Sequence, residues 1–203
     1  MQQPSPLIRG TLIRRYKRFL ADVALESGGE TTVHCPNPGA MLGLAEPGID
    51  VWLSNSKNPK RKLSHTWELA RVDNTLAGIN TLAANRIGEE AVLGGHIAEL
   101  SGYDGVRREV RYGKNSRIDL LLEAKHRPTC YVEIKNVHLM RTPGLAEFPD
   151  SVTARGTKHL GELEDMVRAG HRAVMLYVVQ RQDCTRFALA ADIDPAYASA
   201  FQA

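Results

Sequence analysis

The chain has 203 residues and a mass of 22.4 kDa, which suits one large domain or two small ones with a buried core. With 43% hydrophobic and 24% charged residues and a net charge of +3, it is neither collagen-like nor globally disordered. It contains no apolar run of membrane-spanning length, and its N-terminal stretch has prolines and arginines where a signal peptide needs apolar residues. Its three cysteines form no C-x-x-C pair. These features predict a cytoplasmic protein with no membrane partner.

The positive charge is concentrated in the first two-fifths of the chain. Residues 1–82 carry 10 basic and 7 acidic side chains, whereas residues 83–203 carry 16 of each. Basic groups displace counterions from a nucleic-acid backbone, and an aromatic ring such as Trp67 can stack on a base. The alternative is two solvated basic loops. The clusters are Arg9, Arg14, Arg15, Lys17 and Arg18, then Lys57, Lys60, Arg61 and Lys62, followed by His65.

The residue pattern of about the first 80 residues predicts short β-strands separated by turns. No segment with helical periodicity interrupts them, and about five strands in 75 residues are typical of a small antiparallel barrel. We expect a five-stranded OB-type barrel, a fold that often binds single-stranded nucleic acid. The predicted strands span residues 11–16, 19–25, 31–35, 50–54 and 63–72.

Beyond Asn80 the pattern changes to alternating helices and strands. A helix over residues 82–93 with Thr81 as N-cap is followed by strands over 107–112, 117–123 and 130–139. A second helix over 152–169 ends at Gly170, and the apolar run in 172–179 predicts a strand buried on both faces. A last strand covers 185–190. The chain therefore predicts an α/β (α+β) protein with two domains, a barrel over 1–82 and a mixed-sheet domain over 83–203.

Two carboxylates and an ammonium group meet in the predicted sheet. In the first strand Ile118, Leu120 and Leu122 are expected to share one face, and Asp119 points to the other. In the next strand Glu133 and Lys135 share one face. If these strands pair, Asp119 and Glu133 converge between apolar positions, where unpaired charges are costly. Oxygen ligands suit Mg²⁺ or Mn²⁺, and the lysine can orient a water for attack on a phosphodiester. The alternative is a simple salt bridge between Lys135 and one carboxylate.

This constellation resembles the PD-(D/E)XK nuclease superfamily, although Ile118 stands where the motif's name has proline. Longer segments closely resemble the sugar fermentation stimulation protein A (SfsA) family from about Leu7 to the C-terminus. In that family the chain continues past the position of Ala203 with another helix and strand. The segments are His34-Cys35-Pro36-Asn37-Pro38-Gly39, Asn58-Pro59-Lys60-Arg61-Lys62-Leu63, Ser116 to Leu121, Tyr131 to Val137, Phe148-Pro149-Asp150 and Thr153 to Leu160.

The resemblance implies a DNA-binding protein with an OB-type barrel joined to a nuclease-like domain. It implies Asp119 and Glu133 as metal ligands, Lys135 as the catalytic lysine and the Ile134 carbonyl as a further ligand. Related nucleases also place a glutamate on the first core helix, for which Glu90 is the candidate and Glu89 and Glu99 are its rivals. The expected nucleic-acid-binding residues are Arg14, Arg15, Lys60, Arg61 and Lys62 in the barrel, and Arg155 and Lys158 on the second helix.

Three functional hypotheses follow. The first is a DNA-binding protein without strong sequence preference whose Mg²⁺- or Mn²⁺-dependent site hydrolyses phosphodiester bonds in single- or double-stranded DNA. The second, suggested by the family's name, is a non-catalytic DNA-binding regulator of sugar (maltose) metabolism, against which the sequence shows no helix-turn-helix pair. The third is a binder of a nucleotide or small anion at the barrel. A homodimer is a further possibility, because the edge of a nuclease-like sheet could pair with a second copy of the chain.

Overall fold

The computed structural model describes residues 6–203. The first five residues, which belong to the N-terminal stretch that argued against a signal peptide, lie outside the described part. The chain divides into two compact units. The first contains the residues up to Ala83 together with Val137–Ser151 and Val179–Ala188, and the second contains Ala84–Asn136, Val152–Val178 and Leu189–Ala203. The first division falls next to the predicted boundary at residue 82, but two later segments pack with the N-terminal unit. Within the described residues, no helix is long and apolar enough to cross a membrane.

The N-terminal unit is built on a closed barrel, as predicted. Its strands are β1 (Ile8–Tyr16), β2 (Leu20–Leu25), β3 (Glu30–His34), β4 (Asp50–Asn55), β5 (His65–Val72) and β6 (Thr75–Gly78). Their order is β3-β2-β1-β4-β5-β6, and a parallel pairing of β3 with β5 at His34 and Thr66 closes the first five strands into a ring. The five-stranded OB-type barrel is therefore confirmed. The short strand β6 was not predicted.

Alternation of apolar and polar residues explains why these segments form a barrel. In β2, Ala21 and Val23 are buried while their neighbours are half-exposed, which is the two-residue period of a strand with one face in a core. Trp67 on β5 is fully buried in this core, and its indole N–H donates to the carbonyl of Leu69 at 2.9 Å. Trp67 therefore cannot stack on a base, and that expectation is wrong. Proximity to a basic cluster in sequence did not reveal that the ring faces inwards.

A further small sheet in the N-terminal unit comes from later parts of the chain. It has the order β10-β11-β13, in which β10 (Leu139–Thr142) and β11 (Leu145–Phe148) form an antiparallel hairpin beside β13 (Arg186–Leu189). Asp150, just after β11, accepts a hydrogen bond from the backbone N–H of Met41 at 3.0 Å. The hairpin was not predicted, because two four-residue strands carry almost no periodic signal.

The C-terminal unit contains a four-stranded sheet with helices. The sheet has the order β12-β9-β8-β7, and β7 with β8 and β8 with β9 are antiparallel. The strands are β7 (Gly105–Tyr112), β8 (Ser116–Ala124), β9 (Arg127–Val137) and β12 (Arg172–Val179), and the helices are α1 (Thr81–Leu93), α2 (Ala154–Arg168) and α3 (Pro195–Gln202). The helix and strand order agrees with the prediction, apart from the unpredicted β10–β11 hairpin and α3.

Two local predictions in this part of the chain need correction. At the start of α1 the side chain of Asn80, not that of Thr81, caps the helix by accepting from the N–H of Leu82 at 3.0 Å. The apolar strand β12 packs on both faces, but its residues are mostly half-buried rather than fully buried, because it lies at the edge of its sheet. The continuous apolar run in residues 172–179 thus corresponds to an edge strand whose two faces pack against two different hydrophobic clusters.

Helix α2 begins and packs as its sequence suggests. The side chain of Thr153 accepts from the N–H of Gly156 at 3.0 Å, which satisfies one free donor at the first turn. Leu160 and Leu163 are buried, whereas Val167 is 52% exposed, so the buried face of the helix stops short of the last turn. His159 is buried on the same helix. Helix α2 therefore places a polar ring inside the C-terminal unit.

Candidate metal and active site

The alternation of side chains along β8 changes at Asp119. Leu120 and Leu122 belong to one core cluster, whereas Ile118 and Leu121 belong to another. The expectation that Ile118 shares a face with Leu120 and Leu122 is therefore wrong. On the neighbouring strand Glu109 has φ of 51° and lies opposite Asp119, between the pairs Arg108–Leu120 and Val110–Ile118. A non-glycine residue in the left-handed region interrupts the regular pleat.

Asp119 is held at this irregular point by two donors. Its Oδ1 accepts from the amide of Asn85 on α1 at 2.7 Å, and its Oδ2 accepts from the backbone N–H of Ile134 on β9 at 2.6 Å. The regular β8–β9 ladder ends nearby, at Leu120 and Val132. Burial, together with the negative charge of Glu133, raises the pKa of Asp119 to about 6. The carboxylate is therefore fixed in position but poorly neutralised.

Glu133 is the most buried charge of the site. Its side chain is 4% exposed, and its Oε1 accepts from Nζ of Lys135 at 2.7 Å and from Nδ1 of His159. Burial alone would raise the pKa of Glu133, but the hydrogen bond from His159 and the charge of Lys135 outweigh burial and lower it. Its second oxygen, Oε2, is buried and has no hydrogen-bond partner among the described residues. A buried carboxylate oxygen left in this state is a ready ligand for a cation.

His159 is a site residue that the sequence analysis missed. Its Nε2 accepts from Nε of Arg155 at 3.3 Å, so the ring proton is on Nδ1, which faces Glu133. The interaction joins residues 26 positions apart, from α2 to β9. A signal was available, because His159 lies next to Leu160 on the buried side of an amphipathic helix. No local pattern, however, shows which carboxylate such a histidine contacts.

The structure brings together Asp119, Glu133 and Lys135 but not the acidic residue expected from α1. Asn85 is the α1 residue that contacts Asp119, and Glu90, five residues further on, is rotated by about 140° and exposed. Glu89 shares the side of Asn85, but its carboxylate pairs with Arg108 at 3.4 Å. The other rival, Glu99, is also exposed. In residues 6–203 no three His, Cys, Asp or Glu side chains form a metal-binding group.

The two basic residues expected on α2 lie next to this site. Lys158 donates from Nζ to Oγ of Ser116 at 3.4 Å and lies 3.5 Å from the carboxylate of Glu162, with half of its side chain exposed. Arg155 is exposed and contacts His159 as described above. Arg155 is therefore linked to Glu133 through His159, whereas Lys158 contacts Ser116 at the start of β8 and Glu162 on its own helix.

The basic residues of the barrel have different surroundings. Arg14 pairs with Asp22 at 2.8 Å on the surface and lies over the ring of Tyr16. Arg15 donates to the backbone carbonyls of Asn37 and Gly39, each at 2.9 Å. Arg15 is thus occupied in holding the loop that follows β3.

The β4–β5 loop (residues 56–64) carries the second basic cluster. Lys60 and Lys62 are exposed, and Arg61 is exposed but donates to the hydroxyl of Thr66 at 3.1 Å. On the β1–β2 turn, Phe19 is 44% exposed and follows the exposed cations Lys17 and Arg18. These two connections correspond to the loops with which OB-folds bind oligonucleotides. Phe19, rather than Trp67, is the exposed aromatic ring in this region.

Comparison with known proteins identifies the family. Residues 13–79 match the family model described as SfsA N-terminal OB domain, and residues 82–203 match Sugar fermentation stimulation protein RE domain. The chain belongs to the SfsA family. A sugar fermentation stimulation protein homolog of Paramagnetospirillum magneticum is 63% identical over 198 residues, covering 98% of this chain and 84% of the relative. The homolog of Brucella ovis is 60% identical over 199 residues, with the same coverage.

A solved structure of the SfsA family has the same fold. Pyrococcus furiosus SfsA, determined in complex with Ca²⁺, matches with a TM-score of 0.89 over 99% of this chain and 84% of that chain. Its sequence is 24% identical, so the likeness establishes the fold alone. The predicted family and the barrel fold are thus both confirmed.

Proposed function

We propose that this SfsA-family protein binds DNA and hydrolyses phosphodiester bonds with the help of a divalent cation at Asp119 and Glu133. The observation that carries the proposal is the free Oε2 of Glu133. It is a buried anionic oxygen without a partner among the described residues. The second carboxylate, Asp119, is also buried, and burial and repulsion from Glu133 disfavour its ionised form. Such a pair gains more from a bound cation than from the surrounding protein groups.

The residues present fit a hard divalent cation. Asp119 and Glu133 offer carboxylate oxygens, and the Ile134 carbonyl remains a candidate for a third. Because so few protein ligands are at hand, water and phosphate oxygens would complete the coordination, as is usual for Mg²⁺. The Ca²⁺ complex of Pyrococcus furiosus SfsA supports a divalent cation in this family. When bound, such a cation supplies Lewis acidity at the phosphodiester.

The protein's own groups orient the reaction. Asn85 and the N–H of Ile134 fix the carboxylate of Asp119, while His159 holds Oε1 of Glu133 so that Oε2 stays available. Nζ of Lys135, 2.7 Å from Oε1 of Glu133, is a positive donor that can orient an attacking water and stabilise charge on the phosphate. Lys135 is 15% exposed, which keeps this donor partly shielded from solvent.

The barrel supplies DNA binding in this proposal. Lys60, Lys62 and Phe19 are exposed on connections that OB-folds use for nucleic acid, where cations contact phosphates and a ring stacks on a base. Contacts of this kind carry little sequence information, so we expect binding to single- or double-stranded DNA without strong sequence preference.

Cleavage by matched variants tests the proposal. Purified wild type, Asp119→Ala and Lys135→Ala are incubated with single- and double-stranded DNA in Mg²⁺ or Mn²⁺. The control is Glu123→Ala, which removes an exposed carboxylate from the same strand. We expect cleavage by the wild type and the control, and none by the other two variants. DNA binding without cation-dependent cleavage by the wild type would instead support the non-catalytic regulator.

A further inference from the structure

The turn between β7 and β8 carries an uncompensated group of positive charges. Residues 111–117, which we call the basic hairpin, contain Arg111, Lys114 and Arg117, all exposed. Among the residues that the structure describes, none of these three side chains forms an ion pair or hydrogen bond. Two other arginines of β7 behave differently, since Arg107 pairs with Glu123 at 3.5 Å and Arg108 pairs with Glu89.

Two of these cations stand directly opposite each other. Arg111 and Arg117 are cross-strand partners in the β7–β8 ladder, so their side chains begin about 5 Å apart. Like charges in this position are destabilising. The arrangement is favourable only when an anion lies between or above the two guanidinium groups.

The basic hairpin is anchored to the elements of the carboxylate site. The backbone N–H of Lys114 donates to Oε1 of Glu162 on α2 at 3.3 Å, and Lys158 of α2 donates to Ser116. Gly113 has φ of 55°, and a Cβ at this position would lie 3.0 Å from the carboxylate group of Glu162. Only glycine therefore lets the turn rest against this side chain without strain.

The position of the hairpin indicates which anion it binds. Arg117 lies two residues before Asp119 on β8, about 7 Å along the strand. A cavity of about 450 Å³ is lined by residues 111–117, and its one aromatic residue, Tyr112, is buried rather than presented to a ligand. The surface is thus charged and polar, which suits a phosphodiester backbone and not a lipid surface or an apolar peptide.

We infer that the basic hairpin binds the DNA backbone next to the bond held at Asp119 and Glu133. Arg111 and Arg117 contact phosphate through their guanidinium groups, and Lys114 adds a third cation at the tip. This inference rests on the proposed function, because it takes the neighbouring site to act on DNA. It assigns part of the DNA path to the C-terminal unit, in addition to the barrel.

The salt dependence of binding tests this assignment without requiring cleavage. Binding of a fluorescein-labelled DNA duplex is measured by anisotropy between 50 and 200 mM NaCl in EDTA. The hairpin variant is Arg111→Gln with Arg117→Gln. Its charge-matched control is Lys125→Gln with Arg168→Gln, two exposed cations outside the hairpin. Thermal melting confirms that both variants fold, and we expect the hairpin variant to melt no lower than the wild type.

We expect the slope of log K against log[NaCl] to become shallower by about 1.8 in the hairpin variant and to stay unchanged in the control. Adding Lys114→Gln should remove about 0.9 more. An unchanged slope, or an equal loss in the control, overturns the hairpin assignment while DNA binding by the wild type stands. Absence of binding by the wild type overturns both proposals. A shallower slope in a protein that does not cleave DNA supports the hairpin and overturns hydrolysis.

Discussion

His159 on α2 donates from its ring to the carboxylate of Glu133 on β9, and both side chains are 4% exposed. Lys135 approaches the same oxygen, so two donors converge on Oε1 and leave Oε2 without a described partner. This asymmetry prepares one oxygen of Glu133 for a ligand. His159 is thus a positioning residue that acts through Glu133.

Replacing His159 tests this role. We expect His159→Ala to weaken Mn²⁺ or Ca²⁺ binding by about 10–100-fold, because Glu133 loses the donor that fixes its orientation. His159→Asn should bind within a few-fold of the wild type, since the amide of asparagine can donate from nearly the position of Nδ1. Isothermal titration calorimetry measures both affinities, and thermal melting reports the loss of packing separately. Equal metal affinity in the wild type and both variants would assign His159 to packing alone.

The charge of Asp119 should lower stability at alkaline pH when no metal is present. Its folded-state pKa of about 6 is above the usual 3.8, so the native protein binds this proton more tightly than the unfolded chain does. The associated stability is complete below pH 3.8 and is lost as pH rises through 6. At pH 8 in EDTA we therefore expect Asp119→Asn to be more stable by up to about 3 kcal/mol.

Urea unfolding at pH 8 and pH 4 measures this effect. The gain of Asp119→Asn should disappear at pH 4, and Glu123→Gln, which alters an exposed carboxylate, should show no comparable gain at either pH. Addition of Mn²⁺ at pH 8 should stabilise the wild type more than Asp119→Asn. A variant that is less stable than the wild type at pH 8 would contradict the raised pKa.

The sequence predicted the strands that meet at the site better than the contacts inside it. Asp119, Glu133 and Lys135 come together because β8 and β9 form a short hairpin and because Glu133 and Lys135 lie two residues apart on β9, which are local properties of the chain. The contact between His159 and Glu133 spans 26 residues and depends on how α2 packs, which no local pattern reports. Trp67 was misread for a similar reason, because nearby charges in sequence do not determine which way a ring points in a barrel.

The change of face at Asp119 was also beyond the sequence. It lies opposite Glu109, whose φ is positive, and glutamate has no preference for this backbone conformation that would have revealed it in the sequence. The two-residue period of β8 is therefore interrupted at Asp119, which is itself a candidate metal ligand. Irregular strands are frequent beside active sites because they re-aim a side chain.

The strain at Glu109 can be measured by substitution. Glu109→Gly should be more stable than Glu109→Ala by roughly 0.5–1 kcal/mol, because glycine adopts positive φ without the penalty that a Cβ brings. Both variants remove the same exposed charge, so the alanine variant controls for electrostatics. Urea unfolding of the two proteins gives the difference. A glycine variant less stable than the alanine variant would show that the backbone at this position is not strained.

Arg15 and Lys60 were both expected to bind DNA, and the structure predicts that they behave differently. Arg15 donates to the carbonyls of Asn37 and Gly39, a fork that lysine cannot reproduce, whereas Lys60 is exposed in the β4–β5 loop. We expect Arg15→Gln, which removes the charge and the fork, to lower stability by about 1–2 kcal/mol and to leave the salt dependence of DNA binding nearly unchanged. Lys60→Gln should leave the melting temperature unchanged and make the salt dependence shallower by about 0.9. Melting curves and anisotropy on the same preparations distinguish the two residues, and a reversed pattern would show that Arg15 faces the DNA.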